Sequence, residues 1–253
     1  MDWDPPDTWS QLRNFLSTLP NRLPQRPRAI LVVSAHWEEK VFTVQSNPHP
    51  SLLYDYLGFP EHTYHLSWPA PGDPELAETV VDLLGAAGIP TAKDHARGYD
   101  HGVFVPLMLL FPAADIPCVQ LSLQSSLDPG LHFSAGEALT SLREDNVLII
   151  GSGNSFHNVR VMMSPAQNRQ SQQLGLEFDD WLTKTIASST SEEVRERLSN
   201  WYKAPGAKFS HPREEHLAPL FVVTGAARES LGEKIFEDHA MDVVESVFLF
   251  GDE

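Results

Sequence analysis

Cysteine is almost absent from this sequence, with Cys118 alone among 253 residues. A single thiol cannot form a disulfide within the chain or build a thiolate zinc cluster. The sequence also lacks an apolar run of the roughly 20 residues that a membrane-spanning helix needs. Its first residues are acidic and carry no basic and apolar leader of the secretory type. These absences predict a cytoplasmic protein that neither inserts into nor attaches to a membrane.

Basic residues are scarce as well, with 18 lysines and arginines against 34 acidic residues and a net charge of −16. A surface of this sign repels phosphate backbones and anionic lipids, so we expect no nucleic-acid partner. Histidine, in contrast, is frequent, with 11 copies. A metal site in this chain is therefore expected to use imidazole and carboxylate ligands rather than thiolates.

The hydrophobic pattern predicts a single α/β domain over residues 1–253. Continuous apolar runs at 28–34 and 147–150 are typical of strands buried on both faces of a parallel sheet, and 117–123 is a further predicted strand. Helical patterns alternate with them, which indicates three layers with a mostly parallel central sheet and helices on both faces. The other predicted elements are strands at 42–46 and 242–250, a loop at 47–72, and helices at 9–19, 74–84, 103–110, 132–142, 167–199 and 214–227.

Four histidines lie where strands end or helices begin. His36 and His157 follow predicted strands, and His101 and His216 lie near helix starts. One such histidine is more often a structural residue than a ligand. Because strand ends meet at one edge of a parallel sheet, the four together predict a functional site there. No HxH or HExxH pair fixes a ligand geometry.

The remaining histidines that the sequence singles out are expected to be peripheral. His132 and His239 are predicted on the surface, and polar loops carry His49, His62, His65 and His95. The run Gly151-Ser-Gly-Asn154 lacks the third glycine and the lysine of phosphate-binding loops, and no Gly-x-Ser-x-Gly elbow is present.

Several short motifs occur in an order that resembles a known family. They are Ser34-Ala-His-Trp37, Gly58-Phe-Pro60, Tyr64 with Pro69-Ala-Pro-Gly72, Gly98-Tyr-Asp-His-Gly102, Val119-Gln-Leu-Ser122, Gly151-Ser-Gly-Asn154 with His157-Asn158, and Glu215-His216-Leu217. The set resembles the class III extradiol ring-cleavage dioxygenases, in the branch similar to 4,5-DOPA dioxygenase. The resemblance runs from about residue 28 to the C-terminus.

The resemblance implies a non-haem Fe(II) enzyme that opens a small aromatic diol with O₂, and Zn(II) is the alternative metal. By the matched motifs, His36 and His216 are expected to bind the metal. His157 is expected to act as an acid/base histidine, and His101 to act next to the substrate. Asp100, Tyr64 and Asn154 belong to the same motifs and are expected to contact the substrate. We expect a monomer or a homodimer.

The sequence departs from the family at its N-terminus. The family's first metal-binding histidine follows an opening strand, whereas no histidine precedes His36 here. Our hypothesis is that this chain lacks that strand and its ligand loop. Two other functions therefore stay open: a zinc enzyme that uses the same histidines, and a metal-depleted, non-catalytic relative that binds an aromatic ligand.

Overall fold

The structure, a computed structural model, describes residues 5–164, 169–187 and 190–251. Its strands are β1 Ala29–Glu39, β2 Phe42–Gln45, β3 Thr91–Asp94, β4 Cys118–Gln124, β5 Val147–Ser152, β6 Gly232–Asp238 and β7 Glu245–Phe250. Its α-helices are α1 Ser10–Thr18, α2 Pro74–Ala86, α3 His101–Leu110, α4 Pro129–Ala138, α5 Ser141–Glu144, α6 Val159–Met162, α7 Arg169–Ile186, α8 Ser191–Ser199, α9 Ala207–Ser210 and α10 Ala218–Ala227. No helix within these ranges combines the length and the apolar character needed to cross a bilayer.

Five strands form the central sheet in the order β3-β2-β4-β1-β5. Strand β1 pairs in parallel with β4 and with β5, and β2 pairs in parallel with β3. The β2–β4 contact is antiparallel. The predicted fold class, an α/β domain with a mostly parallel sheet between helices, is therefore confirmed.

Alternate residues of β1 enter two separate hydrophobic cores, one on each face of the sheet. Leu31 and Val33 pack in the core that also contains α2, α4 and α10. Ile30 and Val32 point to the opposite face, where α3 and the segment 52–70 cover them. Because both faces are buried, the strand is apolar at every position rather than at every second one.

Strand β1 loses its register with β4 at the point where it reaches His36. Val33 pairs with Leu121 and Glu38 pairs with Leu123, so the four residues 34–37 lie opposite one residue of β4. A bulge of this kind bends a strand and redirects its side chains. The sequence pattern ends the strand at Ser34, but pairing with β4 resumes at Glu38 and carries the strand through the bulge.

Several predicted elements need correction. The last strand, predicted over 242–250, is β7, and it pairs antiparallel with β6 in a separate two-stranded sheet. The sequence analysis did not predict β3 or β6. The predicted helix 132–142 is two helices, α4 and α5, and α10 begins at 218 rather than at 214. The predicted helix 167–199 contains α7 and α8, and its residues 167–168 and 188–189 lie outside the described part.

Helices α4 and α10 approach each other closely through glycine. A Cβ atom at Gly136 would lie 2.0 Å from the Val222 carbonyl oxygen, and one at Gly225 would lie 2.2 Å from the Phe133 oxygen. These contacts are to backbone, which cannot move aside as a flexible side chain can. The helix pair therefore requires glycine at both positions.

We expect Gly136→Ala to lower the free energy of unfolding by about 1–3 kcal/mol, because the added methyl group overpacks this contact. Gly85→Ala is the matched control, since Gly85 lies in helix α2 with no heavy atom within 4 Å of the new Cβ. The control is expected to gain roughly 0.4–1 kcal/mol. Urea unfolding of both variants measures the difference. Equal stabilities would contradict the close helix contact.

Candidate functional site

The site lies at the carboxyl edge of the sheet, where four imidazole rings form a row. The ring centroids of His101 and His36 are 3.8 Å apart, and those of His36 and His216 are 4.9 Å apart. His157 stacks on His216 with centroids 3.4 Å apart. The structure thus brings together all four histidines that the sequence places near strand ends and helix starts.

Strand β1, helix α3 and the segment around Asp55 build one end of the row. His101 is the first residue of α3, and its backbone N–H and ring Nδ1–H both donate to Asp55 Oδ1, at 3.0 and 2.8 Å. Ser152 Oγ donates to the Gly102 carbonyl at 2.5 Å, which holds the helix start against β5. A Cβ at Gly102 would lie 2.9 Å from the His36 ring, so glycine permits the two histidines to meet.

The other end of the row contains a second histidine–carboxylate pair. His157 Nδ1 donates to Glu215 Oε1 at 3.1 Å, and the His157 backbone N–H donates to the Ser210 carbonyl. Glu215 Oε2 is buried and accepts no hydrogen bond from the described residues. His216 Nδ1 accepts from the backbone N–H of Asn154 at 3.2 Å.

Burial favours the neutral form of His36, His157 and His216. Burial and the neighbouring His101 lower the pKa of His36 to about 4. Burial, His157 and His36 lower the pKa of His216 to about 2. Burial also lowers the pKa of His157, although the Glu215 carboxylate opposes this shift. At neutral pH these rings therefore present lone pairs, which is the form that binds a metal or accepts a proton.

Two groups of side chains in this row fit a metal ion. In one, the ligand atoms of His36, Asp55 and His101 lie within 4.8 Å of one another; in the other, those of His157, Glu215 and His216 do. Neither ring nitrogen of His36 makes a hydrogen bond to any residue that the structure describes. Neutral imidazoles with one carboxylate suit Fe(II) and Zn(II), so the residues present fit a metal of the expected kind.

Asp100 lies beneath the histidines rather than on the surface of the site. Its side chain is fully buried, and its Oδ1 accepts a 2.8 Å bond from Ser34 Oγ. Its Oδ2 accepts from Arg97 Nη2 at 3.1 Å and from Gln120 Nε2. Ser34 Oγ in turn accepts from the His36 backbone N–H at 3.2 Å. In this arrangement the Asp100 carboxylate supports β1 and α3.

Tyr64 and Asn154, the other expected substrate contacts, have structural partners. The Tyr64 hydroxyl accepts from the Phe59 N–H and donates to the Tyr56 carbonyl, each at 3.4 Å. Asn154 donates its side-chain amide to Glu245 Oε1 at 3.4 Å, in addition to its backbone contact with His216. Tyr56 reaches the row of histidines, with its ring 5.7 Å from that of His101.

The sequence analysis missed two residues of this region and misplaced a third. It did not single out Asp55, which lies in an irregular segment, or His211, which is fully buried. His211 Nε2 donates to the Ser155 carbonyl at 2.8 Å and so holds the loop that carries His157. His132, predicted on the surface, is fully buried, and its Nε2 accepts from the Gln124 N–H at 3.3 Å. Helix α4 turns this ring inward, where it packs edge-on against Phe42.

Comparison with known proteins identifies a family. Residues 5–248 match the family described as the catalytic LigB subunit of aromatic ring-opening dioxygenase. The chain is 42% identical over 207 residues to the 4,5-DOPA dioxygenase extradiol of Beta vulgaris, covering 81% of this chain and 75% of that protein. It is 37% identical over 252 residues to the dioxygenase tasH of Hapsidospora irregularis, covering 91% of this chain and 76% of that protein.

A solved structure agrees with this match. The uncharacterized protein JW3007 of Escherichia coli K12 is 31% identical to this chain and superposes with a TM-score of 0.78. The superposition covers 93% of this chain and 90% of that one. Sequence and fold therefore point to the same family over most of the chain.

Proposed function

The chain belongs to the LigB family of aromatic ring-opening dioxygenases, and from this premise we propose that it is an Fe(II)-dependent extradiol dioxygenase. Its substrate in this proposal is a catechol-type diol, whose ring opens next to the two hydroxyl groups as both atoms of O₂ enter the product. Membership in the family supports the general reaction, the opening of an aromatic ring by a dioxygenase. The iron, the diol and the position of cleavage are the parts that we propose.

One observation supports an acid/base role at this site more than any other. His157 stacks on His216 and donates its Nδ1–H to Glu215, which leaves the lone pair of the neutral ring on Nε2. A base in this position can take the proton of a substrate hydroxyl on Nε2 and later return it. The Glu215 carboxylate holds the ring orientation and stabilises the imidazolium that forms.

His36 and His216 are the residues that we propose to hold the metal. Both rings are largely buried, and their centroids are 4.9 Å apart at 81°, so the two potential ligand groups meet at these residues. In the structure, the His216 lone pair lies on Nδ1, so a metal bound there would replace the Asn154 contact. Bound Fe(II) would supply open positions for the diol oxygens and O₂, and would pass electron density between them.

The test is O₂ consumption by the protein after anaerobic loading with Fe(II). We expect one O₂ to be consumed for each diol, with a yellow ring-opened product, for at least one member of a panel that includes DOPA, dopamine and simple catechol. DOPA belongs in the panel because the Beta vulgaris relative is named for it. Protein loaded with Zn(II), which cannot change its redox state, is the matched control and is expected to show no uptake.

The two alternatives predict different results in the same experiment. A zinc enzyme would convert its substrate with Zn(II) and consume no O₂. A non-catalytic relative would bind the aromatic ligand without conversion in either metal form. Iron bound at one equivalent, with a bound diol and no O₂ uptake, would contradict the proposed dioxygenase.

A further inference from the structure

We propose that His101, oriented by Asp55, supplies a third protein ligand to the metal beside His36 and His216. This inference rests on the proposed function, because it concerns the metal of the same site. The resemblance to the family implies a place for His101 near the substrate, so ligation by this residue would be a distinct property of this chain.

The first argument is proximity. The His101 and His36 ring centroids are 3.8 Å apart, closer than the 4.9 Å between His36 and His216. The ligand atoms of His36, Asp55 and His101 all lie within 4.8 Å of one another. An ion held by His36 would therefore lie next to the His101 ring.

The second argument concerns which nitrogen is free. An ionised carboxylate can only accept hydrogen bonds, so the 2.8 Å contact with Asp55 places the proton of His101 on Nδ1. The lone pair of the neutral ring is then on Nε2. Metal-binding histidines commonly donate their other ring N–H to a carboxylate in this way, which fixes the tautomer and makes the ligand more basic.

The third argument is that the ring is already held in place. The backbone N–H of His101 bonds to the same Asp55 oxygen, and Ser152 anchors the next carbonyl of α3. The side chains of His101 and Asp55 are only 27% and 21% exposed. A ligand fixed in this way loses little conformational freedom when a metal binds.

A similar pair elsewhere in the chain provides the control. His65 Nε2 contacts Glu61 Oε1 at 3.0 Å, but these side chains are 70% and 86% exposed. His65 belongs to neither potential ligand group. His65→Gln removes a histidine–carboxylate pair without touching the row of rings.

The experiment uses Zn(II) alone as the probe, with the wild-type chain and the variants His101→Gln, Asp55→Asn, His36→Gln and His65→Gln. We expect Asp55→Asn to weaken Zn(II) binding by about 10–100-fold. His101→Gln is expected to weaken it at least as much, whereas His65→Gln binds like the wild type. X-ray absorption at the zinc edge is expected to count three imidazole ligands in the wild type and two in His101→Gln. Circular dichroism confirms that each variant is folded.

The inference would be overturned if His101→Gln bound Zn(II) with the wild-type affinity and the same number of imidazole ligands. The proposed dioxygenase would survive that result if the Fe(II)-loaded wild type still consumed O₂ with a diol. If only His36→Gln among these variants lost Zn(II) binding, His101 would be excluded as a ligand. The proposed function would still stand, provided that the Fe(II)-loaded wild type consumed O₂. Absence of metal binding in the wild type would overturn both proposals.

Discussion

His157→Gln is expected to lower the kcat of the Fe(II)-loaded protein by about 10²–10⁴-fold, the range that a positioned acid/base group contributes. Glutamine retains a polar side chain of similar length but cannot exchange a proton near neutral pH. His157 is not one of the proposed metal ligands, so the iron content of the variant should match that of the wild type. Steady-state O₂ uptake and metal analysis of the same preparation measure the two quantities.

Two further variants show whether the loss is specific. His65→Gln removes an exposed histidine of the segment Glu61–His65, and it should leave kcat unchanged. Glu215→Gln keeps a hydrogen-bond acceptor for His157 but removes the negative charge, so kcat should fall by less than in His157→Gln. A His157→Gln protein with full iron and wild-type kcat would exclude His157 as the acid/base residue.

Asp100→Asn is expected to lower the free energy of unfolding by about 3–5 kcal/mol, the usual cost of removing one partner from a buried ion pair. Asp100 is fully buried and accepts from Arg97, Gln120 and Ser34. Its loss leaves the Arg97 guanidinium, whose side chain is 17% exposed, without a carboxylate. The guanidinium also lies 4.4 Å from the Trp37 ring centroid, so it cannot turn to water without losing that contact.

An exposed ion pair serves as the control for this prediction. Asp180 and Lys184 pair on α7 with side chains 62% and 69% exposed, and Asp180→Asn should change the stability by about 0–1 kcal/mol. A double-mutant cycle with Arg97→Gln measures the coupling, because the two changes together should cost less than their sum. If Asp100→Asn alone does not fold, a folded double variant supports the same conclusion, because it leaves no unpaired guanidinium. Additive effects of the two substitutions would show that the pair is not coupled.

The sequence predicts those parts of the fold that local chemistry determines. Strands β1 and β5 are apolar at consecutive positions because the sheet is covered on both faces. Helix α2 begins at Pro74 after Asp73, whose side chain accepts from the Leu76 N–H at 2.9 Å, as a cap at that position should. In these segments the local sequence alone predicts the strand or the start of the helix.

The strands that the sequence missed depend on distant partners. Thr-Ala-Lys-Asp of β3 has three polar residues among four, because this strand lies at one edge of the central sheet. Strand β6 contains four charged residues among seven and forms only because β7 pairs with it. No periodicity of two or 3.6 residues distinguishes such segments from loops, so their pairing is visible only in the folded chain.

The candidate site also contains some residues that the sequence places and others that only the folded chain places. His36 and His157 can be placed from the sequence because each follows a strongly apolar strand, and parallel strands end at a common edge. Asp55 cannot be placed from the sequence. Its position depends on an isolated bridge between Leu52 and Tyr99, which joins two irregular segments. Asp100 is adjacent to His101 in the sequence, yet its carboxylate turns inward to Arg97. Adjacency in a motif therefore does not show which way a side chain points.

The bulge in β1 frees the His36 side chain from the ladder while the strand continues on both sides of it. Pairing with β4 is continuous up to Val33 and resumes at Glu38, and Ser34 still pairs with Ser152 of β5. The strand is therefore held before and after the segment 35–37, in which Ala35 and Trp37 stay buried and only His36 turns to the row of rings. The backbone of the sheet thus fixes the place of a proposed metal ligand without fixing the direction of its ring.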